Sequence, residues 1–183
     1  MNKSQTIFVH YTNQITSEIS MLITYSCETN STFYYDHLNQ LWSQGPDMKF
    51  TFDTSDGEGA GIIVDKITGE KNVIVFHVGG ETEILKIGTN KWTRGPILIP
   101  DGYKPMTAFL SFPLTVAMTD EFLVFGGGIV SIQSAHLFAN YNVYKMACEN
   151  DNCLWSKMPV QLSESFDPYP AAFLVPNEVL NCK

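Results

Sequence analysis

The sequence predicts an all-β fold made of repeated units of four short antiparallel strands. Three observations predict it. Tryptophan recurs in one context: Trp42 in LWSQGP, Trp92 in KWTRGP and Trp155 in LWSKMP, at spacings of 50 and 63 residues. Each follows an apolar strand-like run, ISMLITYSC (19–27), NVIVFHVGG (72–80) or EFLVFGGG (121–128). Helical periodicity is absent, because Gly and Pro interrupt nearly every window of about a dozen residues.

The second unit shows the strands most plainly: AGIIVDK (60–66), NVIVFHV (72–78), ETEILKI (81–87) and KWTRG (91–95). TGEK (68–71) is a hairpin loop, Gly79 and Gly80 form the next turn, and Gly88, Thr89 and Asn90 the third. The first unit fits the same frame with strands 5–11, 20–26, 31–36 and 41–45. The third is longer. Its first strand lies within 108–118, its second is 122–127, its third falls within 136–148 and its fourth is 153–158, with 128–135 expected as a loop. A fourth unit holds two strands, AAFLVP (171–176) and VLNC (179–182). The units therefore span about 5–45, 59–96, 107–159 and 170–183, and the linkers 46–58, 97–106 and 159–169 are rich in Pro, Gly, Asp or Ser.

Composition narrows the function. At 44% hydrophobic and 16% charged residues, the 183-residue chain has material for a core and too little charge for a disordered segment. A net charge of −8 with only 11 Lys and Arg argues against nucleic acid, whose phosphates need a basic footprint, and against an anionic membrane surface. No apolar run approaches the roughly 18 residues a spanning helix needs, and the N-terminus does not read as a secretory signal.

Four-stranded units of this length, with Gly-Gly after an apolar second strand and Trp in the fourth, resemble kelch repeats. The resemblance is carried most specifically by VIVFHVGG…KWTRGP (73–96) and FLVFGGG…CLWSKMP (122–159). It implies a kelch-type β-propeller of four-stranded antiparallel blades, about three and a half of them, an incomplete ring. Trp42, Trp92 and Trp155 would pack between blades, and Gly79–Gly80 and Gly126–Gly127 would turn crowded backbone. Ser26 and Cys27 replace the glycine pair of the first unit, and the third unit carries an insertion. The expected reading is a piece of a longer protein, or one whose missing blades come from elsewhere.

Candidate chemistry is sparse. Gly126, Gly127 and Gly128 lack the Lys and helix of a phosphate loop, which leaves a structural turn. His10, His37, His77 and His136 share no metal-ligand spacing, so no metal or cofactor is expected. Cys148 and Cys153 flank ENDN, a gap that suits a disulfide across a hairpin, with free thiols as the alternative. Cys27 and Cys182 pair with each other or stay free. A disulfide implies an extracellular or other oxidising compartment; free thiols imply the cytoplasm. Asn2 and Asn30 begin N-glycosylation patterns, and the acidic clusters 53–58 and 149–151 read as solvated loops.

The resulting expectation is a non-catalytic scaffold that binds a protein partner through its loops. Phe50, Phe52, Tyr103 and Phe166 are the candidate contact residues. The alternative is a propeller enzyme, a galactose-oxidase-like oxidase or a sialidase-like hydrolase, which needs polar side chains converging on an axial channel.

Overall fold

A computed structural model describes residues 5–13, 17–25, 30–49, 59–77, 79–89, 91–104, 108–111, 114–134 and 136–163, with backbone alone at 5–25, 109 and 111. Among these residues the fold is all-β, without helix. The first sheet comprises β1 (Gln5–Asn13), β2 (Ser17–Tyr25), β3 (Thr32–Asp36) and β4 (Leu41–Gln44), paired in chain order and antiparallel throughout. The second repeats this with β5 (Gly59–Val64), β6 (Lys71–Phe76), β7 (Thr82–Lys86) and β8 (Trp92–Arg94).

The third unit departs from the expected layout. The region 108–118 holds two strands, not one: β9 (Ala108–Ser111) and β10 (Leu114–Ala117). The stretch 128–135, expected as a loop, contains β12 (Gly128–Ser131), and β13 (Leu137–Ala139) precedes the expected third strand. β13, β12 and β9 form a small antiparallel sheet of their own, so the insertion pairs its backbone polar groups instead of leaving them to solvent. The four-stranded sheet is β10, β11 (Phe122–Phe125), β14 (Asn142–Glu149) and β15 (Asn152–Gln161). β15 runs on into the expected linker at 159–161, past a register shift between Asn142 and Tyr144. The half unit expected at 170–183 lies outside the described residues.

The strands form where the sequence alternates. In β5, Gly59, Gly61 and Ile63 are buried and the residues between them only partly so. β6 is buried on both faces from Asn72 to Phe76, as a strand between two packed layers must be. One face, Ile74 and Phe76, joins Phe122, Val124, Tyr144 and Met146 in the core between the second and third sheets. The other, Val73 and Val75, joins Leu85, Trp92 and Met48 in the core between the first and second. Each such side chain contributes roughly 1.5–3 kcal/mol by burial. β5 lies against β1 on one side and β10 on the other, so the three first strands are neighbours.

A hydrogen-bond set repeats at an interval of 50 residues. Gly45 N–H donates to the Thr32 carbonyl, and Gly95 to that of Thr82, both at 2.8 Å. Met48 N–H donates to the Asn30 carbonyl at 2.9 Å, and Leu98 to that of Gly80 at 2.7 Å. The Thr32 and Thr82 hydroxyls donate to the carbonyls of Pro46 and Pro96. Those proline carbonyls also accept the indole of the following sheet: Trp92 Nε1 to Pro46 O at 3.1 Å and Trp155 Nε1 to Pro96 O at 3.0 Å. Trp92 and Trp155 thus each tie their own sheet to the preceding one.

Candidate functional site

The second and third sheets diverge at their outer edges and leave a cleft of 610 Å³ between them. Strand alternation selects its lining. Asn72 shares the face of Ile74 and Phe76 that looks toward the third sheet. Lys86 lies opposite Asn72 on β7, and Thr93 opposite Ile84 on β8. Lys91 completes this wall, and Asp151, Asn152 and Cys153 form the other; Arg94 borders the cleft, but its place opposite Glu83 puts it on the face of Trp92, toward the first sheet.

Lys86 and Lys91 therefore line one cleft of a chain whose net charge is −8. Lys86 Nζ bridges both carboxylate oxygens of Asp151 at 3.1 Å and also pairs with Glu70. These two carboxylates, Glu70 foremost, hold the ammonium pKa above its ordinary value, so Lys86 stays charged. Asn72 is 3% exposed, and its side-chain nitrogen has no hydrogen-bond partner among the described residues. The lining groups are mostly amides, hydroxyls and cations, a set suited to holding a carboxylate.

Asp65 fixes the wall of the cleft. Its carboxylate accepts from the N–H groups of Ile67 and Thr68 in its own turn, and from Asn150 and Asp151 in the β14–β15 turn, at 2.9–3.2 Å. Asn150 and Asp151 have φ of 52° and 63°, a left-handed pair that brings both N–H groups onto one carboxylate. The Thr68 N–H, then those of Asp151, Ile67 and Asn150, hold the Asp65 pKa far below the usual carboxylate range. A signal for this was present in the sequence. DKIT (65–68) has the same form as DHLN (36–39), and Asp36 likewise accepts from Leu38 and Asn39 N–H.

A second polar cluster is buried between the first and second sheets. His77 Nε2 stands 3.6 Å from Glu83 Oε2, both side chains being 0% exposed, and Glu83 Oε1 accepts from Lys49 N–H at 2.6 Å. Among the described residues no three His, Cys, Asp or Glu side chains form a group able to hold a metal ion.

The structure distributes the sequence-derived candidates widely. Trp92 is 1% exposed in the first interface, and Trp155 packs edge-on against Phe76 and Phe122 in the second. Trp42 differs: it is 54% exposed, stacked beside Tyr35, because its face of the first sheet is turned away from the second. Gly79, Gly80, Gly126 and Gly127 all have positive φ, between 63° and 97°, whereas Gly128 lies in β12. Cys148 and Cys153 face each other across β14 and β15 and are joined by a disulfide, with Cα atoms 4.0 Å apart. Tyr103 packs against the core between the second and third sheets instead of projecting from its loop. Phe50, Phe52, Phe166, Cys27 and Cys182 lie outside the described residues, as do the clustered acids at 53–58. The Asn30 amide is engaged by the Met48 carbonyl, so its nitrogen is committed within the fold. His37 and His136 are on the surface. Sequence reasoning missed Asp65 and the cleft, which unites residues from four separate strands and turns.

No family model matches the chain, and no curated protein matches its sequence. Among solved structures it is similar to that of YjhT, at a TM-score of 0.46 and 9% identity, over 90% of this chain and 52% of that one. The chain thus spans about half the length of YjhT.

Proposed function

We propose that this chain is a kelch-type β-propeller segment that serves as a non-catalytic protein-binding scaffold, with the cleft between the second and third sheets as the seat for an acidic segment of its partner. The propeller reading is supported by the succession of four-stranded antiparallel sheets with neighbouring first strands, and by indoles packed at the same place in two successive interfaces. The binding reading rests on one observation: Lys91 lines this cleft beside Lys86, which Asp151 and Glu70 already pair, in a chain of strongly negative net charge. A rigid wall of paired strands positions those cations without reorganisation, which favours a preformed site.

The test is a titration of a fluorescently labelled acidic peptide against the full chain. The account expects saturable binding that weakens as salt rises, and that weakens about tenfold or more in Lys91→Glu. A matched basic peptide should not bind. Acidic-peptide binding that is absent at low salt, or indifferent to that substitution, would overturn the assignment of the cleft. Stoichiometric copper carried through purification would overturn the non-catalytic reading in favour of a propeller oxidase.

A further inference from the structure

One ion pair ties the two walls of the cleft to each other. Lys86 stands on β7 of the second sheet, and Asp151 in the β14–β15 turn of the third. Lys86 Nζ meets both carboxylate oxygens of Asp151 at 3.1 Å, so the contact crosses the cleft. Glu70 pairs with the same ammonium from outside the cleft lining. Asp151 therefore sits on Lys86 as the carboxylate of an acidic segment would, but from the chain's own turn.

This pair can open without moving the wall. The Asp151 N–H donates to Asp65 Oδ2 at 2.9 Å and the Asn150 N–H to Asp65 Oδ1 at 3.2 Å, and the Cys148–Cys153 disulfide closes the base of the turn. The backbone at 150–151 is thus held independently of the Asp151 carboxylate, and release needs only a side-chain rotation. The Lys86 and Asp151 side chains are 30% and 58% exposed, so water and salt weaken their attraction and a competing carboxylate can replace it. Beside the pair lies an unmet donor. Asn72 lines the cleft opposite Lys86 in the β6–β7 ladder, is 3% exposed, and its Nδ2 has no hydrogen-bond partner among the described residues. A buried amide without an acceptor is costly, and an entering carboxylate supplies one.

We infer that the Lys86–Asp151 pair is an autoinhibitory latch on the cleft. An acidic segment binds by displacing the Asp151 carboxylate and setting its own between Lys86 and Asn72. The inference rests on the reading of the cleft as the seat of an acidic segment, and it adds which side chain holds that seat closed.

The experiment titrates the labelled acidic peptide at low salt against the full chain as wild type, Asp151→Asn and Glu149→Gln. Asparagine keeps the shape and backbone N–H of Asp151 and tolerates its φ of 63°. Glu149→Gln removes an equal charge from the same hairpin, at an exposed position that does not line the cleft. Asp151→Asn should bind about three- to fivefold more tightly than the wild type, and Glu149→Gln like the wild type. The Asn72 side-chain amide signal in a proton–nitrogen correlation spectrum should shift as the peptide is added. Equal affinities of wild type and Asp151→Asn, equal gains in the two variants, or an Asn72 signal unmoved at saturation would overturn the latch and leave the cleft reading standing. Absence of peptide binding in all three forms would overturn the cleft reading, and the latch with it.

Discussion

Replacing Trp92 by alanine should be among the most damaging single changes in the described residues. The ring is 1% exposed and packs with Met48, Val73, Val75 and Leu85 between the first two sheets. Truncating a buried Trp costs about 3–5 kcal/mol, cavity included. The indole also donates to Thr32 Oγ1 and Pro46 O, both at 3.1 Å. The Pro46 carbonyl keeps the Thr32 hydroxyl as a donor, so the variant does not orphan it, and the total stays near 4 kcal/mol. Against a typical stability of about 5–15 kcal/mol, that is a quarter or more of the whole. For a domain of this size it lowers the midpoint of thermal unfolding by about 10 °C. Trp92→Phe keeps most of the apolar contact, loses the N–H, and should cost about 1–2 kcal/mol. Trp42→Ala, at an exposed site, should cost less than about 1 kcal/mol. Urea unfolding followed by circular dichroism, which does not depend on the tryptophans as reporters, gives all three values. Equal losses in Trp42→Ala and Trp92→Ala, or a Trp92→Ala loss below about 1 kcal/mol, would refute the reasoning.

Three further outcomes follow from the same geometry. Asp65 has a depressed pKa in the folded chain, so its stabilisation is complete above the ordinary carboxylate pKa of about 3.9 and is lost as pH falls below it. Wild-type stability should therefore decline more steeply than that of Asp65→Asn between about pH 5 and 2, and parallel curves would contradict the clamp. Gly79 and Gly80 both have positive φ, but a β-carbon at Gly79 meets open space whereas one at Gly80 would lie 2.2 Å from the Leu98 carbonyl oxygen. Gly79→Ala should cost about 1–2 kcal/mol and Gly80→Ala clearly more, as read from their denaturation midpoints. Intact mass under non-reducing conditions should show the Cys148–Cys153 disulfide as a loss of two hydrogens. Its reduction removes the constraint on a short loop and should cost about 2 kcal/mol, so an unchanged urea midpoint after reduction would count against it.

The strands of the first two sheets were legible because turn residues punctuate runs that alternate or are wholly apolar. The strand expected at 72–78 is β6, Lys71–Phe76, and the one expected at 31–36 is β3, Thr32–Asp36. The third unit was read less well. Its extra length looked like a loop, but Ile129 and Val130 pair with the equally short runs at 108–111 and 137–139, a non-local choice that no window of sequence exposes. The recurrence of tryptophan was visible, and so was the proline four residues on. What could not be read was that each proline carbonyl is the acceptor for the next sheet's indole. Nor could the different fate of Trp42 be read, since its sequence context is nearly that of Trp92 and only the sheet beyond it differs. The cleft stays hidden for the same reason: Asn72, Lys86, Lys91 and Asp151 are far apart in the chain and meet only when one sheet is laid on another.

The central claim is that each buried indole ties its sheet to the proline carbonyl of the sheet before it. The three indole N–H signals in a proton–nitrogen correlation spectrum, followed through hydrogen exchange, test it directly. The account predicts that Trp92 and Trp155, bonded to Pro46 and Pro96, exchange at least about a hundredfold more slowly than Trp42. Three indoles exchanging at a common rate, or Trp42 as the slowest, would contradict it.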